Sequence, residues 1–491
     1  MLEIIENDGG KMKDYTFLTE AAEKVMDYYQ IPGCAMAVAE GGEISFFHFG
    51  WADKKNKKKF TEHTVSGIGS CTKSMTAMAA LYLEDHGVLS LDRPVADYIP
   101  GFKMWDDTAS RAVTLRDMLC HRTGVAGHDG TWPDGSITRP EFLRRIQYME
   151  ANRPFRTEAQ YSNVMYVAAG GIMEMATGQS WESLLEEIIF RPLGMDHSFC
   201  LMKEAEHQGN CAVPYRWDHG ICEMPRWNID MAGPCGSVMS TAEDMSKWLL
   251  FHIGDGHAGG KTILKEKSFE DMHRPQVLMD YPHIQGGRSL GYALGWRVLD
   301  YKGHIVQQHT GKIEGYSAFQ FYLPGTGNGA VFLQNLHAPD NPFIFAMQGL
   351  LLDHFLGFPP RDWGKLYTGE GKRAEESAYH ELEFRLLPDV TVKGTSLSHN
   401  IFDYVGKYSS PAYGIFEVVY EKGRLWLHER DVKYREMTHL YYDTFQVDCI
   451  KEDTDLYTVP LTFRTGGLTG KIEGFDILLE PEVKNICFKK I

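Results

Sequence analysis

The sequence Ser-Cys-Thr-Lys at residues 70–73 constrains the fold more than any other stretch of this chain. A helix is expected to begin here, and residues three apart share a face of a helix, so Lys73 can lie beside the Ser70 hydroxyl. A serine hydroxyl is a weak nucleophile that needs a base within hydrogen-bond reach, and S-x-x-K is a known signature of acyl transfer. The fold therefore has to leave this helix start open to partners from elsewhere.

Two partner motifs follow in order along the chain. Tyr161-Ser162-Asn163 comes first, and His309-Thr310-Gly311 comes later. Alternate residues of an extended segment point to the same side, so Tyr161 and Asn163 can both face one cleft. The sequence predicts that the three motifs meet around Ser70.

Composition excludes several classes of function. The 491 residues carry 50 Lys and Arg against 66 Asp and Glu, a net charge of −16, which argues against nucleic-acid binding and against docking on anionic membranes. No apolar run approaches the roughly 20 residues of a membrane helix, and the N-terminus does not read as a secretory signal. Nine scattered cysteines without a C-x-x-C pair indicate reduced thiols, so we expect a cytoplasmic protein.

The order of the predicted elements indicates an α+β fold for the first part of the chain. A helix at about 17–30 and a hairpin around Gly41-Gly42 precede a helical middle, which runs from residue 70 to about 290. The early and late strands would then pair in one mostly antiparallel sheet, in two layers with the helices. The late elements are predicted as strands at about 292–300, 304–309, 315–323 and 329–335 and a helix at about 341–356.

The character of the chain changes near its C-terminal end. Residues 358–398 read as a connection, with a short helix near 373–385. From residue 399, short strands alternate with turns every 8–12 residues or so, which favours a small β-barrel or sandwich. We therefore predict a first domain at 15–357, a linker at 358–398 and an all-β domain at 399–491.

Several framework stretches, together with the three motifs, resemble the serine β-lactamase-like superfamily, in its class C β-lactamase, DD-peptidase and D-aminopeptidase branch. The last motif often reads K-T-G in that family, whereas His-Thr-Gly at 309–311 is similar to its peptidase members, so the resemblance favours peptide or amide substrates over β-lactams. The C-terminal segment looks like the lipocalin-like barrel appended to some of those peptidases. The framework stretches are residues 91–95, 114–124, 191–195, 236–248 and 292–296.

The resemblance and the chemistry of the side chains together imply catalytic roles. Ser70 would be the nucleophile that forms an acyl-enzyme. Lys73 would be the general base or its electrostatic partner, acting as a neutral amine or as a cation that relays through Tyr161. Tyr161 would share this proton and pass it to the leaving group. Asn163 would hold Lys73 and the substrate amide.

The third motif would line the opposite side of the cleft. His309 could hydrogen-bond Tyr161 or a substrate carboxylate and, as a histidine, could titrate near neutral pH. Gly311, lacking a side chain, would let the substrate backbone come close. Thr310, Gly311 and Glu314 are the expected substrate-binding residues, although Lys312 and Glu314 could equally be a solvated pair. The family pattern implies an oxyanion hole made of the backbone N–H groups of Ser70 and Lys312.

The leading hypothesis is a serine hydrolase that cleaves amide bonds of small peptides or acylated amino acids, with D-residue selectivity as one option. A carboxylesterase or lactonase is the first alternative, and a penicillin-binding sensor that is acylated without turnover is the second. We expect a small-molecule or short-peptide substrate and no cofactor or catalytic metal, with a homo-oligomer as an option. The C-terminal barrel could close the cleft, mediate oligomerisation or bind a partner, and we expect it to pack near the mouth.

Overall fold

The computed structural model describes residues 14–131, 137–217, 220–226, 228–337, 342–369, 391–429, 433–448 and 458–491. Within those ranges, no helix has the length and apolar character needed to cross a membrane. The helices are α1 (Thr16–Tyr29), α2 (Thr72–Asp85), α3 (Asp107–Ala112), α4 (Leu115–Leu119), α5 (Arg139–Arg145), α6 (Asn163–Thr177), α7 (Trp181–Leu185), α8 (Arg191–Leu193), α9 (Met202–His207), α10 (Gly233–Gly236), α11 (Ala242–Ile253), α12 (Glu266–His273), α13 (Pro342–Phe355) and α14 (Trp363–Gly369).

Early and late strands join in one eight-stranded antiparallel sheet, as the sequence predicts, in the order β10-β11-β12-β13-β14-β1-β2-β3. The other strands of the first domain form three two-stranded pairs, β4 with β7, β5 with β6 and β8 with β9. The strands are β1 (Gly33–Glu40), β2 (Glu43–Asp53), β3 (Lys58–Lys59), β4 (Ser66–Gly67), β5 (Tyr215–Trp217), β6 (Ile221–Glu223), β7 (Met239–Ser240), β8 (His257–Ala258), β9 (Lys261–Thr262), β10 (Gly287–Tyr292), β11 (Arg297–Tyr301), β12 (His304–Ile313), β13 (Tyr316–Leu323) and β14 (Asn328–Gln334).

Strand β1 shows why the sheet is covered on both faces. Its side chains alternate between the two sides of the sheet, as the pleat requires. Ala35 and Ala39 belong to the core shared with the helical block, whereas Met36 and Val38 belong to the core under α1, α13 and α14. The predicted sheet flanked by helices is confirmed, and the layer of α1, α13 and α14 is a third layer beyond the two expected.

A turn divides the strand predicted at 292–300. Strand β10 ends at Tyr292 and β11 begins at Arg297. Gly295 lies in the turn with φ of 78°, and a Cβ on it would stand 2.7 Å from the Lys73 carbonyl oxygen. The break therefore lets this turn pack directly on the start of α2.

The C-terminal strands close into an eight-stranded barrel, which confirms the predicted all-β domain. Large aromatic side chains such as Tyr408, Phe463 and Phe475 are buried inside it. The strands are β15 (Gly406–Ser410), β16 (Gly414–Glu421), β17 (Arg424–Glu429), β18 (Lys433–Tyr441), β19 (Thr444–Asp448), β20 (Thr458–Thr465), β21 (Ile472–Ile477) and β22 (Ile486–Lys490).

The first domain extends past the predicted boundary at residue 357. Helix α14 lies inside the predicted linker, yet its Trp363 is fully buried in the core of the first domain. The Trp363 indole donates to the Asp353 carboxylate of α13 over 2.7 Å, which ties the two helices together. The short helix predicted near 373–385 lies outside the described residues.

Candidate active site

Ser70 lies in a single 3₁₀ turn, Gly69–Cys71, that leads into α2. Strand β12 packs so closely on this turn that two positions have no room for a side chain. A Cβ on Gly69 would lie 2.5 Å from the Lys312 nitrogen, and one on Gly311 would lie 1.8 Å from the Ile68 carbonyl oxygen. The glycine at 311 is therefore required by packing against the nucleophile turn, whereas the sequence had suggested space for substrate.

The Lys73 ammonium group is held by three oxygen atoms. Its Nζ lies 2.9 Å from Ser70 Oγ, 2.7 Å from Asn163 Oδ1 and 2.7 Å from the Cys235 carbonyl oxygen. The side chain is completely buried. The predicted contact between Lys73 and Ser70 thus exists, and Cys235 of α10 adds an acceptor that sequence reasoning missed.

The chemistry of these acceptors assigns the Lys73 protons. The Asn163 amide oxygen and the Cys235 carbonyl can only accept, so each takes one N–H of Lys73. The remaining tetrahedral position points at Ser70 Oγ. It holds a proton in the ammonium form and a lone pair in the amine form, so a neutral Lys73 can accept the proton of Ser70 without moving.

Tyr161 and Asn163 reach the cleft from the N-terminal end of α6, Tyr161 from just before the helix and Asn163 from its first position. Asn163 is the first residue of the helix, and Ser162 before it is extended and fully buried. The Tyr161 ring centre lies 4.9 Å from Lys73 Nζ, a cation–π contact. Within the described ranges the Tyr161 hydroxyl makes no hydrogen bond, so it is available to a substrate.

The structure places His309 differently from the sequence-based expectation. Its imidazole is fully buried and faces Tyr292, whose hydroxyl lies 3.0 Å from Nε2, while the Tyr161 ring centre is 6.5 Å away. Nδ1 lies 2.6 Å from the Thr310 carbonyl oxygen, which can only accept, so Nδ1 carries the proton and Nε2 accepts from Tyr292. Burial, with nearby Arg297 and Lys73, holds the pKa of His309 well below its ordinary value. The hydrogen-bond partner of Nε2 is thus Tyr292 and not Tyr161, and the lowered pKa runs against a titration near neutral pH. A contact of His309 with a substrate carboxylate stays a prediction.

A second buried histidine, His121, packs behind Tyr161. The rings of His121, Tyr161, Tyr292 and His309 contact one another and are here called the aromatic floor. Its ring lies 4.2 Å from that of Tyr161 and 4.7 Å from that of Tyr292, centre to centre. Nδ1 accepts from the Ser162 backbone over 3.1 Å, whereas Nε2 is buried and has no hydrogen-bond partner among the residues that the structure describes. Burial lowers the pKa of His121 well below its ordinary value, so this floor carries no charge at neutral pH.

Arg297 is a candidate functional residue that the motif analysis missed. It stands on β11 beside the cleft, half-buried, and its Nη1 donates to Thr310 Oγ1 over 3.2 Å. Its guanidinium lies 5.9 Å from the Tyr161 ring centre and 5.1 Å from that of Tyr281. In the part of the chain that the structure describes, no carboxylate pairs with Arg297, and its Nε is buried without a hydrogen-bond partner.

The structure brings the remaining predicted residues to the site unequally. Thr310 is half-buried and in contact with Arg297. The Lys312 backbone nitrogen lies against the nucleophile turn, but its side chain is exposed. Glu314 follows the end of β12 and is half-buried. The Ser70 and Lys312 nitrogens therefore lie on adjoining segments, whereas the side chain of Glu314 makes no described contact with Ser70 or Lys73.

Two thiols border the site but do not compete with Ser70. Cys71 is buried, and its Sγ donates to the His309 carbonyl oxygen over 3.4 Å. Burial raises the pKa of the Cys71 thiol and raises that of Cys235 to about 11. Because the thiolate is the nucleophilic form of cysteine, both remain inert near neutral pH.

Comparison with known proteins shows which family the chain belongs to. The family model described as Beta-lactamase matches residues 18–348, and the one described as Domain of unknown function (DUF3471) matches residues 391–490. Penicillin-binding protein 4 of Amycolatopsis lactamdurans is 30% identical over 331 residues, which cover 66% of this chain and 85% of that protein. The unguisins hydrolase ungD' of Aspergillus campestris is 26% identical over 450 residues, which cover 87% of this chain and 81% of the relative.

A solved structure shares the whole architecture. The octameric penicillin-binding protein homologue from Pyrococcus abyssi superposes with a TM-score of 0.61 at 21% identity, covering 97% of this chain and all 100% of that chain. This likeness shows that the fold of nearly the whole chain recurs in another protein. The resemblance seen in the motifs is thereby confirmed, and the chain belongs to the beta-lactamase family, with a DUF3471 barrel after the family domain.

Proposed function

We propose that this protein is a serine hydrolase that cleaves amide bonds of small peptides or acylated amino acids through an acyl-enzyme on Ser70. The observation that carries the proposal is the 2.9 Å contact between Lys73 Nζ and Ser70 Oγ, made while the other two donors of Lys73 are occupied. A nucleophile and a base within hydrogen-bond reach, with the base oriented by further groups, are the signature of covalent catalysis.

The first half of the reaction follows from this arrangement. Ser70 gives its proton to the lone pair of Lys73 and attacks the substrate carbonyl carbon. The carbonyl oxygen becomes an oxyanion, which the backbone N–H groups of Ser70 and Lys312 would receive. The leaving amine takes a proton from the Tyr161 hydroxyl. Lys73 then returns a proton to Tyr161 through a water molecule or the substrate, because the two side chains share no hydrogen bond in the described residues.

The second half reverses these roles. A water molecule gives its proton to the same Lys73 and Tyr161 pair and attacks the acyl carbon. Ser70 then leaves with its proton restored, as microscopic reversibility requires. We assign His309 no proton-transfer step, because Nε2 accepts from the Tyr292 hydroxyl and Nδ1 donates to the Thr310 carbonyl oxygen. Its place is to hold the aromatic floor against which Tyr161 stands.

Arg297 supports the choice of substrate class. A half-buried guanidinium with no carboxylate partner in the described residues, beside the Thr310 hydroxyl, suits an anionic group of a substrate. A free carboxylate close to the scissile bond is what a short peptide or an acylated amino acid would present. The names of the two relatives, a hydrolase and a penicillin-binding protein, agree with acylation at this site.

Covalent labelling tests the nucleophile. We expect a fluorophosphonate probe to add one adduct to the wild-type protein and to the control variant Cys71→Ala, and none to Ser70→Ala. Peptide mapping of the adduct identifies the modified residue. Labelling of Ser70→Ala at wild-type rate would contradict the assignment.

Turnover separates the three readings of this site. We expect hydrolysis of D- or L-aminoacyl p-nitroanilides or of N-acyl amino acids, and the panel shows which stereochemistry is accepted. Turnover of p-nitrophenyl esters alone would favour the esterase or lactonase. A stable adduct with nitrocefin or penicillin, without turnover of anything, would favour the sensor.

Two further expectations are part of the proposal. The cytoplasmic location stays a prediction from the sequence and is tested by fractionating cells that produce the protein. Self-association is also proposed, since the Pyrococcus abyssi homologue is described as octameric. Light scattering after size exclusion would detect it as a molar mass that is a multiple of the 55.7 kDa chain.

A further inference from the structure

We propose that the C-terminal barrel helps to position a residue of the active site. Tyr413 and Glu480 of the barrel hold residues 126–131, here called the latch loop. Asp129 of the latch loop then orients the Asn163 side chain toward Lys73. The inference rests on the proposed function, because it concerns the residue that helps to hold the catalytic lysine. Asp129 and the two barrel residues are positioning residues and do not touch the reacting atoms.

The orientation of the Asn163 carboxamide requires a partner on each side. Its Oδ1 accepts from Lys73 over 2.7 Å, and its Nδ2 donates to Asp129 Oδ1 over 3.1 Å. The two ends of a carboxamide have nearly the same shape, so only their partners decide which end faces Lys73. A carboxylate can only accept, so Asp129 fixes the NH₂ group on its own side and the oxygen on the side of Lys73.

The latch loop is held from the barrel through His128. This residue is fully buried and has φ of 47°, a conformation that is costly for a residue with a side chain. Its backbone N–H donates to Glu480 Oε2 over 2.6 Å, and its Nδ1 lies 2.8 Å from the Tyr413 hydroxyl. Its Nε2 lies 2.8 Å from the Glu150 carbonyl oxygen and so carries the proton, which leaves Nδ1 to accept from Tyr413.

The glycines that flank Asp129 show how tightly the barrel fits. A Cβ on Gly130 would lie 3.2 Å from the Tyr413 ring, and one on Gly127 would lie 3.2 Å from Glu480 Oε2. Tyr413 lies in the turn between β15 and β16, and Glu480 lies in the loop between β21 and β22. Because β15 pairs with β22, these two connections are neighbours at one end of the barrel.

The same end of the barrel supports the segment before Tyr161. Glu482 accepts from the side chains of Asn152 and Gln160, the second over 2.9 Å. The Gln160 backbone donates to the His121 carbonyl oxygen over 2.8 Å, which ties this segment to the aromatic floor. The barrel thus contacts the supports of both Tyr161 and Asn163, in keeping with the expectation that it packs near the active-site mouth, which stays a prediction.

The test compares two barrel tyrosines in the full-length protein. Tyr413→Phe keeps the ring on Gly130 but removes the bond to His128. Tyr408→Phe, the matched control, removes a buried hydroxyl that donates to the Tyr404 carbonyl oxygen over 2.6 Å inside the barrel. We expect the rate constant of fluorophosphonate labelling at Ser70 to fall about tenfold in Tyr413→Phe and to stay at the wild-type value in Tyr408→Phe, because one hydrogen bond to a positioned group is lost.

Hydrogen–deuterium exchange gives a readout that does not depend on catalysis. We expect faster exchange at 126–131 and at the start of α6 in Tyr413→Phe, and unchanged exchange there in Tyr408→Phe. Glu480→Gln, whose amide oxygen can still accept from His128, should behave like wild type, whereas Glu480→Ala should behave like Tyr413→Phe. In steady-state assays the loss should appear in kcat with KM nearly unchanged.

Either of two results would overturn the inference. Exchange and labelling could be the same in Tyr413→Phe and Tyr408→Phe, or both variants could lose labelling in proportion to their loss of Tm. Failure of the proposed function would look different. Wild-type protein would then not be labelled at Ser70, while the exchange comparison would still decide whether the barrel holds the latch loop.

Discussion

The cleft has two walls. The α2 wall carries Ser70 and Lys73, and the strand wall carries Tyr292, Arg297 and His309 of β10, β11 and β12. Lys73 and His309, one on each wall, differ in how their burial is compensated. On the α2 wall, Lys73 is buried with its donors bound to Ser70, Asn163 and Cys235. On the strand wall, His309 is equally buried but neutral, with one nitrogen on Thr310 and the other on Tyr292. Burial of an ionisable side chain therefore does not by itself assign it a proton-transfer role. A proton-transfer role requires a nitrogen lone pair that points at the nucleophile, as that of a neutral Lys73 would point at Ser70 Oγ.

Replacement of Lys73 should have the largest effect on the reactivity of Ser70. We expect Lys73→Ala to lower the labelling rate constant of Ser70 by roughly a thousandfold, because a positioned general base contributes about 10²–10⁴. Lys247→Ala, which removes a half-buried lysine paired with Asp244 elsewhere, should leave the rate unchanged. Wild-type labelling of Lys73→Ala would show that the α2 wall does not handle the proton.

The seam between the walls is the contact of Gly311 on β12 with Ile68, just before the nucleophile turn. Adding a side chain there should have the next largest effect on labelling. In Gly311→Ala the new methyl group would meet the Ile68 carbonyl oxygen, so the nucleophile turn has to move. We expect the free energy of unfolding to fall by about 3 kcal/mol, at the upper end of the range for overpacking, together with most of the labelling. The control is Gly467→Ala, where no heavy atom of the described residues lies within 4 Å of the added Cβ. Unchanged chemical denaturation of Gly311→Ala would contradict this account of the seam.

Loss of Arg297 should separate substrates by charge. We expect Arg297→Ala to raise KM roughly tenfold or more for substrates with a free carboxylate, since hydrogen bonds to charged groups contribute about 1.5–3 kcal/mol. The corresponding amides should be little affected. Arg288→Ala on the neighbouring strand removes an exposed arginine paired with Asp300 and should change neither. Equal effects on acids and amides would reject Arg297 as the carboxylate site.

The neutral histidines predict how stability depends on pH. Burial holds the pKa of His309 and His121 well below the ordinary 6.5 and lowers that of His273 to about 4. The unfolded chain therefore binds more protons on acidification, so the contribution of these groups is complete above about pH 6.5 and is lost as pH falls. At about pH 5.5 each would cost roughly 1.4 kcal/mol.

Urea titrations from pH 8 to pH 5.5 measure this slope. We expect His309→Gln to flatten it, although the variant itself is less stable at neutral pH. Above pH 7, the pH–activity profiles of the wild type and of His309→Gln should have the same shape, because His309 does not titrate in that range. An unchanged slope in the variant would mean that His309 is protonated in the folded state.

The smallest effect is expected from the hydroxyl behind His309. Tyr292→Phe removes the bond to Nε2 and should lower the free energy of unfolding by about 1 kcal/mol, with a loss of activity of only a few-fold. Tyr301→Phe, which loses a bond to Asp353, should cost similar stability without loss of activity. Equal activities of the two variants would show that the bond between Tyr292 and His309 serves stability alone.

The sequence was sufficient for the fold class and for the contact between Ser70, Lys73 and Asn163, but not for the Cys235 acceptor of Lys73. The hairpin around Gly41-Gly42 and the late strands predicted the sheet, because their patterns and turns are local. Ser70, Lys73 and Asn163 were found because two short motifs carry the chemistry in their spacing. The helix start at α2 then brings Ser70 and Lys73 within 2.9 Å, as helical spacing requires.

The strand wall and the barrel contact could not be predicted in the same way. Tyr292, Arg297 and Asp129 belong to no motif, and their roles come from tertiary contacts. Arg297 could have been suspected, since a hairpin through Lys302-Gly303 pairs it with Gln308, near Thr310. The neutrality of His309 could not, because it depends on burial and on a partner from β10. The contact of Tyr413 with His128 joins residues in different domains, for which the sequence offers no local signal.

The position of β1 also governs how the chain is made. Cys34 is paired with Phe49 on one side and with Gln334 on the other. A ribosome adds about 5–20 residues per second, so the β1–β2 hairpin waits on the order of tens of seconds before β14 has been synthesised. Until then, one edge of β1 is bare and can join foreign strands. Nascent chains of this protein should thus depend on chaperones most strongly while the helical block is being translated.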